Sequence, residues 1–333
     1  MANITDVARL AGVSHQTVSR VVNNVDAVRP STRARVLSAI DELNYRPSSV
    51  ARALKSSKTR TIGLISTGNP LYGPSSIALG FNEAAREAGY HVITASMSSA
   101  PMELIRDAID VLVRQQVEAI VLIATDVASL VAVHDLHIDI PLITADSSGR
   151  ERFPSVSIDQ AAGAVLAAGY LADLGHTTIL HLAGPDYSLD ARERVRGWRA
   201  ELERRGLAVV PPTHGDWTAE SGLAVGLELP APVEYSAIFV ANDQMALGLL
   251  HAFTVRGIRV PDDVSLVGFD DIPEAAHYSP PLTTVRQDFA ELGRRLMTAV
   301  TTEIEGHTET GVVVTQPSLV IRQSAAAPPG VAG

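Results

Sequence analysis

Two hydrophobic patterns divide the chain. In the first sixty residues the apolar positions follow helical spacing, most clearly in AGVSHQTVSRVVNN, residues 11–24. Thr5 can cap a helix from Asp6 through Leu10, with Asp6 in the first turn, where the helix dipole favours a negative charge. Ala11-Gly12-Val13 reads as a tight turn in which Gly12 supplies backbone freedom. Ser14 then caps a second helix extending to about Asn23. Val18, Val21 and Val22 fall on one side of that helix, and His15, Gln16, Ser19 and Arg20 on the other, at i, i+4 spacing. From Thr61 onward the pattern changes. Apolar runs at 61–67, 90–96, 118–125, 141–146, 177–184, 236–242 and 263–270 alternate with helical segments. Runs buried on both faces and separated by helices predict parallel α/β sheets, and this many units predict two doubly wound lobes. Ligands of such sheets lie beyond the C-terminal strand ends, where Asp146, Asn242 and Asp270 fall.

Charge sharpens the division. The chain of 333 residues has a formal net charge of -10, yet residues 1–60 hold ten Lys/Arg against four Asp/Glu, and the remainder 17 against 33. A basic head on an acidic body suggests a polyanion partner for the first module and an uncharged or cationic partner for the second. The absence of cysteine excludes disulfides, thiolate zinc sites and a cysteine nucleophile. MANITDVARL has no secretory pattern, and no apolar run reaches the roughly 18–20 residues of a membrane span, so a cytoplasmic, nucleoid-associated protein with no membrane partner is expected. No HExxH, GxSxG or Gly-rich phosphate loop is present. His134 and His137 could share a helix face, but two His without a third ligand make a poor metal site. No catalytic residue, cofactor or metal is predicted.

Two short helices joined by a Gly turn, the second with an apolar back and a donor-rich front, make a helix-turn-helix pattern. Gln16 can pair with adenine and Arg20 with guanine in the major groove; the plain alternative is a helix pair with a solvated polar face. Asp6-Val7-Ala8, Ala11-Gly12-Val13-Ser14, Thr17 through Asn23, Thr32-Arg33, Leu43-Asn44-Tyr45, Pro47 and Val50 through Leu54 resemble the head of the lactose/galactose-repressor (LacI/GalR-type) family. The resemblance implies that His15, Gln16 and Arg20 read bases, with Thr5, Ser14, Ser19, Asn23 and Arg29 also at the DNA. Arg29 stands where a capping Ser is usual before the third helix, although Pro30 suits the first helical position. Residues 46–58, RPSSVARALKSSK, read alone as a flexible tether. The resemblance makes them a hinge that folds on DNA and pushes Leu54 into the minor groove at the centre of the operator. The expected domains are a headpiece at 1–46, a hinge at 47–60, a two-lobed core at 61–323 and a disordered tail at 324–333.

The resemblance extends to about Gln323, and the body looks like a type I periplasmic binding protein. Carried over one by one, Asp146, Arg194, Asn242 and Asp270 match sugar-hydroxyl ligands, and Trp217 and Phe289 aromatic walls with Gln287 nearby. Leu71, Gly73, Pro74, Ile77 and Leu292 line the apolar side. Asp190 departs from the pattern, standing where a Ser is expected. Carboxylate, guanidinium and amide groups each take neighbouring hydroxyls, and an indole packs on the apolar ring face. Taken singly, Arg194 and Asp270 could be structural ion pairs and Trp217 simple core. The combined reading is a dimeric, sugar-responsive repressor of a palindromic DNA operator, released by a β-galactoside or related glycoside. The alternatives are a glucoside or co-repressor ligand, or an exported solute-binding protein, which has no use for residues 4–58.

Overall fold

The computed structural model describes residues 2–22, 28–45, 58–67, 71–97, 102–134, 138–149, 153–230, 234–307 and 311–328. It divides into two units, Met1–Arg60 and Thr61–Gly333.

The first unit is helical. Helix α1 (Ile4–Ala11) is capped by Asn3, not by Thr5. The Asn3 side chain accepts from the Thr5 and Asp6 amides, while the Asp6 carboxylate accepts from the Asn3 amide at 3.0 Å. This reciprocal pair satisfies donors that a Thr5 cap would leave open, and places Thr5 on the exposed first turn. Gly12 ends the helix at φ 64°, in the left-handed region that favours glycine. Ser14 accepts from the Thr17 amide at 3.2 Å ahead of α2 (His15–Val22). Helix α3 (Pro30–Glu42) starts on Pro30, and Arg29 makes no side-chain cap. Val7, Ala8, Ala11, Val18, Val21, Val36 and Ala39 form the small core of the three helices.

The second unit contains two lobes of one design. The first lobe is built on β1 (Thr61–Thr67), β2 (His91–Met97), β3 (Ala119–Ile123), β4 (Leu142–Ala145) and β5 (Ser155–Ile158). The second uses β6 (Ile179–Ala183), β7 (Thr213–His214), β8 (Ala237–Val240), β9 (Ser265–Asp270) and β10 (Thr283–Arg286). With β11 (Val312–Thr315) and β12 (Ser318–Val320) the sheet orders become β11-β5-β4-β3-β1-β2 and β12-β10-β9-β8-β6-β7. The first five strands of each lobe thus follow the doubly wound order 2-1-3-4-5. β3 and β9 are buried throughout, as their continuous apolar runs require, whereas the edge strand β2 is largely exposed.

Helices cover both faces of each sheet. In the first lobe α4 (Tyr72–Glu87) and α11 (Phe289–Ile304) share one face, and α5 (Met102–Arg114) and α6 (Val127–His134) the other. In the second, α7 (Gln160–Asp173) and α8 (Leu189–Arg204) oppose α9 (Ala219–Glu228) and α10 (Asp243–Arg256). The chain therefore crosses between lobes three times, after β5, after β10 and after β11. The sequence pattern missed β5, β7, β10, β11 and β12. Each is short, and its pairing is set by distant chain, as where Val312 to Thr315 pair in parallel with Ser155 to Ile158.

The expectation of a disordered tail from residue 324 is wrong for residues 324–328. Ser324 is fully buried, its carbonyl accepts from the Leu266 amide at 2.7 Å, and its hydroxyl donates to the Leu266 carbonyl and accepts from the Thr283 amide. Ala326 exchanges bonds with the Ser265 hydroxyl and accepts from the His176 ring. Small residues carry little local signal, and these bonds, one between backbone groups and the others through the Ser324 and Ser265 hydroxyls and the His176 ring, are made to distant chain. Residues 329–333 lie outside the described ones. Ser324→Ala should lose about 1–3 kcal/mol of stability by stranding the Thr283 amide, measured by chemical unfolding; a solvated tail would make the change neutral.

Candidate functional sites

The head presents one polar surface. His15, Gln16 and Arg20 are exposed on α2 and Ser19 is half-buried, while Val18 and Val21 face the core of the head. Ser14, Thr5 and Arg29 are exposed. Asn23 and Leu54, with the hinge at 46–57, fall outside the described residues. A helix with long donors on its solvent side and valines behind it can enter a major groove without disturbing its own packing.

The core contains a cavity of about 330 Å³ between the two lobes, within the size range of small-molecule sites. It gathers every residue expected there: Leu71, Gly73, Pro74, Ile77, Asp146, Asp190, Arg194, Trp217, Asn242, Asp270, Gln287, Phe289 and Leu292. The strand ends explain the convergence. Asp146 follows β4, Asn242 follows β8, Asp270 ends β9 and Gln287 follows β10.

Four side chains close a ring in its second-lobe wall. Arg194 Nε donates to Gln160 Oε1 at 2.9 Å, Gln160 Nε2 to Gln287 Oε1 at 2.8 Å, and Gln287 Nε2 to Asp270 Oδ1 at 2.6 Å. Asp270 Oδ1 in turn lies 3.7 Å from Arg194 Nη2. Arg194 also donates through Nη1 to the Ala241 carbonyl, and its guanidinium sits 3.9 Å over the Phe269 ring and 5.3 Å from that of Trp217. Burial pushes the Asp270 carboxyl up to about 6, against the pull of Arg194 and the Gln287 hydrogen bond. Asp270 and Trp217 stand at φ 111° and 76°, backbone strain of the kind that collects at binding sites.

The remaining walls are set by local structure. Asn242 caps α10 by accepting from the Met245 amide, and its amide donates to the Trp217 carbonyl at 3.0 Å. A Cβ on Gly184 would lie 2.3 Å from the Trp217 ring, so only glycine lets the indole settle there. Phe289 meets Tyr72 edge to face at 5.8 Å. In the first lobe Asp146 accepts from the Ser148 amide and hydroxyl, while the Ser147 hydroxyl reaches across the cleft to Asp190 Oδ1 at 2.6 Å.

Sequence reasoning missed Gln160, Tyr72, Asp126, Ser147 and Asp216 in the cavity wall. Gln160 was legible in principle, because it lies two residues after SVSI, a strand whose C-terminal end also opens here. Among the described residues no group of three His, Cys, Asp or Glu could hold a metal, and no helix is long and apolar enough to cross a membrane. His137 lies outside those residues.

A helix-turn-helix head joined to a two-lobed core with a ligand cleft defines a DNA-binding regulator with a periplasmic-binding-protein-like core. Residues 3–48 match the model of bacterial regulatory proteins of the lacI family, and residues 168–325 that of the periplasmic binding protein-like domain. The lactose operon repressor of Escherichia coli is 35% identical over 325 residues, which cover 97% of this chain and 90% of that protein. The HTH-type transcriptional repressor PurR of Vibrio parahaemolyticus is 36% identical over 334 residues, covering 97% and 98%. The crystal structure of the lac repressor dimer bound to operator and the anti-inducer ONPF matches with a TM-score of 0.86 at 33% identity, covering 98% of this chain and 99% of that one. The complex of the transcriptional regulator CelR with cellobiose matches at 0.72 and 30% identity, covering 98% and 100%. The chain belongs to the LacI family and is a transcriptional regulator.

The Asp270 carboxyl gives the site a pH signature. Its folded value of about 6 lies above its ordinary 3.8, so between these limits the native state holds a proton that the unfolded state releases. Its contribution therefore falls as pH rises from about 4 to about 6 and is flat above, a change on the order of 3 kcal/mol. Unfolding of wild type and Asp270→Asn across this range should differ by that slope; parallel curves would refute the assignment.

Proposed function

We propose that the protein is a repressor that binds an inverted-repeat DNA operator as a homodimer and is released by a small glycoside, first among them a β-galactoside. The observation that carries the sugar reading is the hydroxyl-matching set of Asp146, Asn242, Gln287 and the Arg194–Asp270 pair around the apolar face of Trp217. A site of this kind is selective, since a missing hydroxyl leaves a buried polar group unpaired. The relatives named for lactose and cellobiose support it. The PurR relatives favour a second reading, a purine co-repressor stacked on Trp217 and Phe289.

In this reading His15, Gln16 and Arg20 read the major groove, with Thr5, Ser14, Ser19, Asn23 and Arg29 supporting them. The same reading makes Leu54 a minor-groove wedge at the operator centre. A ligand that contacts both lobes favours one lobe orientation, and linkage makes operator weaken ligand binding by the factor by which ligand weakens operator binding.

Arg20→Ala should cost about 1–3 kcal/mol on specific DNA and much less on random DNA, read by fluorescence anisotropy; equal losses would remove its base-reading role. The effector is tested by titrating galactosides, cellobiose and hypoxanthine into the operator complex. A galactoside should release the operator, and Asp270→Asn should abolish release while leaving basal operator binding intact. Tightening by hypoxanthine alone would establish the purine reading instead.

A further inference from the structure

The charge balance of the cavity goes further than its hydroxyl-binding groups. Five carboxylates line it, Asp126, Asp146, Asp190, Asp216 and Asp270, and among the described lining residues Arg194 is the one cation. That guanidinium is buried, donates to Gln160 and the Ala241 carbonyl, and is paired with Asp270 at 3.7 Å.

Of the helix N-termini at the cleft, the other possible anion seats, five carry caps from the chain itself, while α4, which begins at the cavity-lining Tyr72, has no side-chain cap. Asp126 accepts from the Ser129 amide, Asp159 from Ala162, Ser188 from Ala191, Asn242 from Met245 and Asp288 from Glu291. Three of these caps are themselves carboxylates.

Asp146, Asp190, Asp126 and Asp216 form no ion pair among the described residues, and the first two face each other across the cleft. These two flank the Ser147-Ser148 turn from opposite lobes, and each has one oxygen held by it, Asp146 Oδ1 by Ser148 and Asp190 Oδ1 by Ser147. Their second oxygens take no hydrogen bond among the described residues. Asp146 is only 7% exposed, so its open oxygen can be satisfied only within the cavity.

We infer that Asp146 and Asp190 make the cavity a charge filter, which takes neutral and ammonium-bearing glycosides and rejects sugar phosphates and uronic acids. Asp190 is the specificity-determining member, because it adds the second charge at the cleft rim. The inference rests on the glycoside reading above and deepens it. A phosphate or carboxylate on the sugar meets two like charges, whereas an ammonium can donate to the open oxygens.

The test is calorimetry on the full chain with methyl β-galactoside and methyl β-glucoside, each beside its amino-deoxy, phosphate and uronate derivatives. In the series that binds, an amino derivative should match or exceed the neutral parent, and both anions should bind at least about 50-fold more weakly. Asp190→Asn retains the acceptor for Ser147 and removes the charge. It should narrow the gap between the neutral parent and the anions, each measured on the variant itself, about tenfold. An anion that binds wild type as well as its parent overturns the filter while sparing the glycoside reading, and so does an unchanged gap in Asp190→Asn. Failure of every neutral and amino sugar removes both.

Discussion

The second lobe depends on the burial of one guanidinium. Arg194 sits at 3% exposure with an aromatic ring beneath it, where an unpaired charge would be prohibitive. The fold answers by drawing Gln160, Ala241, Asp270 and Gln287 to it, and these come from the start of α7 and the ends of β8, β9 and β10. The closed ring fixes the relative height of three strand ends. Removing one member leaves the others buried without partners, so the ring holds or fails together. A ligand placed against Asp270 and Arg194 meets groups whose orientation is already determined.

The two lobes are tied to each other without being fused. Three crossings connect them, and Leu189 at the head of α8 packs into the first lobe's core beside Ile65 and Leu130. The Leu189 amide donates to the Thr125 carbonyl, and Ser147 reaches Asp190 a residue further on. These contacts are few and lie at the rim of the cleft. One apolar contact and a few hydrogen bonds between two lobes make the kind of joint that a bound ligand can bias.

Charge is partitioned as well. The basic head and the acidic core suit different partners, a polyanion for one and a neutral or cationic small molecule for the other. In the core Asp126 serves twice, capping a helix start and lining the cavity.

The sequence by itself determined the class of the longer elements whose burial is one-sided or complete. The valine face of α2, the continuous runs of β3 and β9, and the polar residues at strand ends were all readable, because period and length follow directly from what a helix or a doubly covered strand must bury. The cavity residues were legible as a set in matching order, though not as a geometry. Tertiary structure decided the rest. The short strands β5, β10, β11 and β12 exist only because distant chain pairs with them. The segment from Ser324 is ordered by bonds to β9, one from the backbone and the others through the Ser324 and Ser265 hydroxyls. Gln160 lies near a readable strand end, but its place beside Arg194 is set by the fold. The Asn3 cap, by contrast, is local, a reciprocal bond with Asp6 three residues on that the sequence carries. Local periodicity reports what a segment buries; which partner accepts its hydrogen bonds is a property of the folded chain alone.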